Sequence, residues 1–66
     1  MDFGDRLKEL RIERGVKQSE IAKMLSMSKM AVSHWENKHS EPDIEQLKIL
    51  ARFFGVSVDY LVGYTD

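Results

Sequence analysis

An all-α fold of five short helices is what this sequence predicts, on three observations. Apolar residues recur at three- and four-residue spacing, the period of a helix with one face buried. Side chains able to accept from a helix N-terminus (Asp2, Ser28, Asp43 and Ser57) stand just ahead of these segments. Gly15, Gly55 and Gly63 stand just past them, where a left-handed residue closes a helix. No segment reads as a strand, and there is no internal repeat.

The first helix covers roughly residues 3 to 14: Phe3, Leu7 and Leu10 share a face, Asp2 is the N-cap and Gly15 lies beyond the end. The second runs from Gln18 to Leu25, about two turns, with Ile21, Ala22 and Leu25 on one side and Glu20 in the first turn, where the helix dipole favours an anion. Ser26, Met27 and Ser28 interrupt the pattern. Ser28 caps a short, half-polar third helix in which Val32 and Trp35 fall on one face. The stretch from Asn37 to Pro42 reads as a loop, because proline disfavours helix in the residue before it and asparagine tolerates the left-handed region. Asp43 and Gln46 form a capping-box pair ahead of Ile44, Leu47, Leu50, Ala51 and Phe54, the clearest helical stripe in the chain. Gly55 stops that helix. Ser57 caps a last one carrying Val58, Leu61 and Val62, and Gly63 ends it.

Sixty-six residues suffice for one domain, spanning 1–66, and a chain this short buries only about 60% of the surface that its unfolded form exposes. A hydrophobic fraction of 42% beside 32% charged residues is the balance of a globular domain rather than a disordered tail or a membrane segment. With no cysteine, neither disulfides nor thiolate metal sites support the core, which fits a reducing cytoplasm. No apolar run approaches the ~20 residues that span a bilayer. The N-terminus MDFGDRLKEL is charged and amphipathic, unlike a signal peptide, so a cytoplasmic location without membrane contact is expected. The net charge of −1 argues against a chain that coats nucleic acid indiscriminately. Any DNA binding must rest on local charge placement.

Two short helices joined by a turn of about three residues are the arrangement that sets a second helix in a DNA major groove. The residues RLKELRIERGVKQSEIAKMLSMSKMAVSHWEN, followed by EPDIEQLKILARFFGVSVDYLVG, resemble the phage repressors and Cro-like regulators, the Cro/C1-type or xenobiotic-response-element family. The resemblance runs from Arg6 to Gly63. It implies a five-helix, lambda-repressor-like fold in which helices two and three are the DNA-reading pair. Three positions depart from the family pattern: Lys17 where Thr or Asn is usual, and Ser26 and Lys38 where Gly is usual. A left-handed conformation at Ser26 or Lys38 would cost on the order of 1 kcal/mol relative to glycine.

Gln18, at the start of helix two, has an amide suited to a phosphate that the helix N-terminus also attracts, and the resemblance implies a backbone contact there. Lys17 beside it is a second phosphate candidate. Lys29, Met30, Ser33 and His34 lie opposite Val32 and Trp35 and are the candidate base readers. Lysine donates to guanine O6 and N7, methionine packs on a thymine methyl, and serine or histidine bonds several base edges. Ser28 combines capping with a candidate phosphate contact. For Asn37, Lys38 and His39 the resemblance implies backbone contacts flanking the groove, although a plain polar loop has the same composition. The resemblance gives Arg11 and Glu36 a structural role, as an ion pair joining helix one to the end of helix three, and Trp35 belongs to the core.

His34 and His39 have no cysteine or suitably placed carboxylate to complete a metal site. No glycine-rich phosphate loop, Ser-His-Asp set or paired carboxylates suggest catalysis, a cofactor or a small-molecule substrate. The expected function is a sequence-specific transcriptional regulator, a repressor of bacterial or phage origin acting by occlusion. One such module makes few base contacts, so an inverted-repeat operator with half-sites ~34 Å apart, and hence a homodimer, is expected. Phe53, Val58, Tyr60, Leu61 and Tyr64 include the candidate interface side chains. The alternative is a protein-interaction module on the same fold, antitoxin-like or antirepressor-binding, for which the weak net charge is a mild argument. The chain ends at Tyr64-Thr65-Asp66 with no oligomerisation tail, which leaves open that it is the head of a longer repressor.

Overall fold

The chain traces α1 (Phe3–Glu13), α2 (Gln18–Met24), α3 (Lys29–Glu36), α4 (Ile44–Phe54) and α5 (Val58–Leu61) in a computed structural model that describes residues 1–64. No strand occurs among the described residues. Thr65 and Asp66, the end of the expected 1–66 domain, lie outside them.

Four helices start on the expected side chains. Asp2 Oδ1 accepts from the Asp5 amide at 3.0 Å, Ser28 Oγ from Ala31 at 3.1 Å and Ser57 Oγ from Tyr60 at 3.0 Å. Asp43 and Gln46 cap reciprocally, at 2.7 and 2.9 Å. The start of α2 differs. Lys17 has only donors to offer, so one half of the pair remains, in which Glu20 Oε1 accepts from the Lys17 amide at 3.2 Å.

The helices also end alike. Past α1, the Val16 amide reaches the Arg11 carbonyl at 2.8 Å and the Gly15 amide that of Ile12 at 3.1 Å, the paired bonds of a Schellman motif. The same pair closes α2 (Met27 to Ala22, Ser26 to Lys23) and α3 (His39 to His34, Lys38 to Trp35). This motif needs a left-handed residue. Glycine supplies it after α1, α4 and α5, whereas Ser26 takes φ 55° and Lys38 takes φ 66°. The two departures from the family's glycines therefore leave the backbone path intact, at about 1 kcal/mol each.

Every helix contributes to one core of Leu7, Leu10, Ile21, Ala22, Val32, Trp35, Leu50, Ala51, Phe54 and Leu61, with Phe3, Val16, Leu25, Met27, Leu47, Val56 and Tyr60 packed against it. Two residues differ from the sequence reading. Ile44 heads the α4 stripe yet is 72% exposed. Helical side chains lean toward the N-terminus, so the first residue of a helix projects past the turn that would cover it. Leu61 is fully buried and belongs to the core rather than to an interface.

Gly4 sets how closely α1 approaches α3. A Cβ there would lie 2.5 Å from the Trp35 carbonyl oxygen and 3.2 Å from that of Glu36, so the two backbones meet with no room for a methyl group. Gly4→Ala should therefore lower stability by about 1–3 kcal/mol, as overpacking does. Ser26→Gly should raise it by about 1 kcal/mol. Urea midpoints at unchanged m-value measure both; a neutral Gly4→Ala would mean that α1 can slide on α3.

Candidate nucleic-acid interface

The turn from Leu25 to Ser28 sets α3 across α2 so that Val32, Trp35 and Glu36 face inward. The opposite side of α3 carries Lys29, Met30 and His34, all exposed, with Ser33 half-buried. Met30, 63% exposed, places an apolar side chain among the polar ones of that face. The four expected base readers thus share one outward face.

Beneath that face lies a charged network. Arg11 grips Glu36 with two bonds, Nε to Oε2 at 2.7 Å and Nη2 to Oε1 at 3.1 Å, and its Nη1 donates to the Val16 carbonyl at 3.1 Å. The expected ion pair is present and mostly buried, with side-chain exposures of 15% for Arg11 and 4% for Glu36. These hydrogen bonds hold the Arg11 guanidinium above its ordinary pKa, against the opposing effect of burial. Gln18 joins the network by donating from Nε2 to Glu36 Oε1 at 3.1 Å. Glu36 therefore orients the Gln18 amide, which retains a second N–H and its carbonyl oxygen for an outside partner.

Gln18 lines an open concavity of about 440 Å³ together with Lys8, Lys17, Ser19, Lys29 and Asn37. Lys8 and Ser19 are additions to the sequence reading. Lys8 stands three residues before Arg11 and so shares its helix face, which is the signal that placing Arg11 against Glu36 would have supplied. At the far end of α3, Asn37 donates from Nδ2 to the Ser33 carbonyl at 3.0 Å and to Ser33 Oγ at 3.2 Å. This leaves the Ser33 hydroxyl proton free to donate. The His39 ring meets His34 edge-on, with centroids 5.9 Å apart. Ser28 uses its oxygen to cap α3, and its proton stays available. Lys38 is turned away from this face: its Nζ lies 3.2 Å from Asp5 Oδ1 and 3.6 Å from Asp2 Oδ2, at the start of α1.

Charge is segregated along the chain. Residues 17–39 carry Lys17, Lys23, Lys29 and Lys38 against Glu20 and Glu36, whereas residues 40–66 carry Glu41, Asp43, Glu45, Asp59 and Asp66 against Lys48 and Arg52. The α2–α3 stretch is thus basic within a chain of net charge −1. Along α4, α5 and the residues after them, Phe53 (47%), Val58 (36%) and Tyr64 (80%) are exposed, as are Ile44 and Val62, while the Tyr60 ring is covered by Arg6 at 3.8 Å. Among the described residues, no three histidines, cysteines or carboxylates come together to hold a metal ion, and no helix is long and apolar enough to cross a membrane.

Residues 7–61 match the Helix-turn-helix family, and the chain belongs to it. It is similar to the transcriptional activator BcrR of Enterococcus faecalis, at 36% identity over 96% of this chain and 31% of that protein. It superposes on a transcriptional regulator from Listeria innocua with TM-score 0.92 at 38% identity, covering 97% of this chain and 60% of that one. It superposes on the P22 c2 repressor, solved in complex with a synthetic operator, with TM-score 0.87 at 31% identity over 98% of both chains. The resemblance read from the sequence and the five-helix repressor fold are thereby borne out. The chain spans between about a third and somewhat over half of the curated regulators it matches at 31%, 50% and 57% of their lengths.

Arg11→Met should cost about 3–5 kcal/mol, because it strands the buried Glu36 carboxylate. Glu36→Gln should cost less, because the Arg11 guanidinium it leaves unpaired is 15% exposed and keeps the Val16 carbonyl. Chemical denaturation separates the two. Losses below about 1 kcal/mol for both would show a pair screened as if it lay on the surface.

Proposed function

We propose that this chain is a single DNA-binding domain, a cytoplasmic repressor of transcription that reads an inverted-repeat operator in double-stranded DNA as a homodimer. The observation that carries the reading is the outward face of α3, where Met30 is 63% exposed between Lys29 and His34 and beside a basic concavity. The likeness to the operator-bound P22 c2 repressor over 98% of both chains supports it.

In this reading α3 enters the major groove, which is ~12 Å wide and admits a helix. Lys29 donates to guanine O6 and N7, Met30 packs on a thymine methyl, and His34 bonds a base edge. Ser33 offers its hydroxyl proton to a base acceptor. Gln18, held by Glu36, grips a phosphate together with the N-terminal amides of α2. Lys17 and Ser28 add contacts on that side, and Asn37 and His39 add them past the end of α3. All of these are binding roles, so no enzymatic step is assigned. Few base contacts per module call for two half-sites ~34 Å apart, and Phe53, Val58 and Tyr64 offer apolar surface for pairing two copies.

Selection of bound sites from a random duplex pool at near-physiological salt tests the reading. An enriched inverted repeat, lost on Lys29→Glu, is the expected outcome. No enrichment by a folded protein would replace it with a protein-binding role for the same face.

A further inference from the structure

Lys38 occupies the segment expected to flank DNA, yet its side chain runs the other way. Its neighbour His39 meets His34, which lies on the outward face of α3. Three features send Lys38 back toward α1. Its backbone is left-handed at φ 66°, as the end of α3 requires. Its stem runs along α1 over Gly4, with Cγ 3.4 Å from where a Cβ would stand, an ordinary contact distance. Two carboxylates lie within reach of its ammonium, Asp5 at 3.2 Å and Asp2 at 3.6 Å. The titration behaviour agrees. Lys38 is held above its ordinary pKa, first by its hydrogen bond to Asp5, and Asp2 is held below its own, first by the Asp5 backbone amide and then, against some desolvation, by Lys38.

We infer that Asp2 and Asp5 withhold Lys38 from the DNA backbone, so that the start of α1 limits the sequence-independent part of DNA affinity. This rests on the DNA-binding reading. A lysine that neutralises a phosphate releases counterion and steepens the fall of affinity with salt, by about 0.9 in the log–log slope per contact. An exposed bridge of this kind is weak when isolated. Here two carboxylates share one ammonium, and Lys38 gives up both if it moves to a phosphate.

Binding to a random-sequence duplex across a potassium chloride series tests this. Asp2→Asn/Asp5→Asn should steepen the slope by about 0.9 and raise affinity severalfold at low salt. Asparagine keeps the N-cap, and a melting curve verifies the fold. Glu45→Gln/Asp59→Asn removes the same charge from α4 and α5, and should leave the slope near that of the wild type. In a Lys38→Met background the steepening should vanish. Equal slopes for the two double variants, or a steepening that persists without Lys38, would overturn the inference while leaving the DNA reading intact. A wild type with no salt-dependent duplex binding would overturn both.

Discussion

The buried carboxylate of Glu36 is the point on which the reading surface depends. It receives Arg11 from the last turn of α1 and Gln18 from the first turn of α2, while standing itself at the end of α3. Three helices that share little sequence-local contact are thus referenced to one pair of oxygens. Such a pair contributes little net stability compared with an apolar replacement, because desolvation offsets its attraction. What it supplies is geometry, since the bidentate fork of arginine accepts a carboxylate in few orientations. Arg11 also holds the Val16 carbonyl, so the link between α1 and α2 is drawn into the same arrangement. Rotation of α3 about its axis would break the bonds at Glu36 together with the burial of Val32 and Trp35. The outward quartet is therefore aimed by a charge network as well as by hydrophobic burial.

Short helices make the ends matter more than the middles. α2 has 7 residues, α3 has 8 and α5 has 4, lengths at which a free helix in water would not persist. Packing supplies most of the compensation. The paired hydrogen bonds after each helix do the rest, by satisfying carbonyls that would otherwise be left over and by sending the chain back on a fixed path. The strain at Ser26 and Lys38 is consistent with this. A left-handed residue is required at both places by the paired bonds that close the helix, and the fold tolerates a non-glycine there.

Local signals made most of the fold legible. Apolar periodicity and the caps Asp2, Ser28, Asp43 and Ser57 place the five helices nearly where they occur, because each signal acts within one or two turns of chain. The outward face of α3 was legible too, as the complement of Val32 and Trp35. What escaped depends on contacts between distant segments. Gly4 reads as a weak point in an amphipathic helix until the Trp35 carbonyl is seen against it. Ile44 fits the stripe of α4, but nothing precedes that helix in space to cover it, and Leu61 is apolar in either an interface or a core. Lys8 joins the interface only once Arg11 has been fixed. Lys38 shows the limit most clearly, because a lysine after α3 suits a phosphate and an ion pair equally well, and only the carboxylates of Asp2 and Asp5, brought to it by the fold, distinguish them.

A net charge of −1 is compatible with DNA binding once distances are compared. Charges separated by more than a Debye length, ~8 Å at physiological ionic strength, hardly feel each other across solvent, and the described chain measures 28 × 22 × 22 Å. Under the proposed function, carboxylates of α4 and α5 are therefore largely screened from a duplex at α2 and α3, which carry Lys23 and Lys29 with Lys17 just ahead of them. The far side still matters for encounter, because an overall negative chain is not drawn toward nucleic acid from a distance. Attraction then begins only when the basic face is already near the phosphates. A domain built this way gains little affinity for nucleic acid from charge alone, so under the proposed function contacts other than phosphate neutralisation carry the remainder.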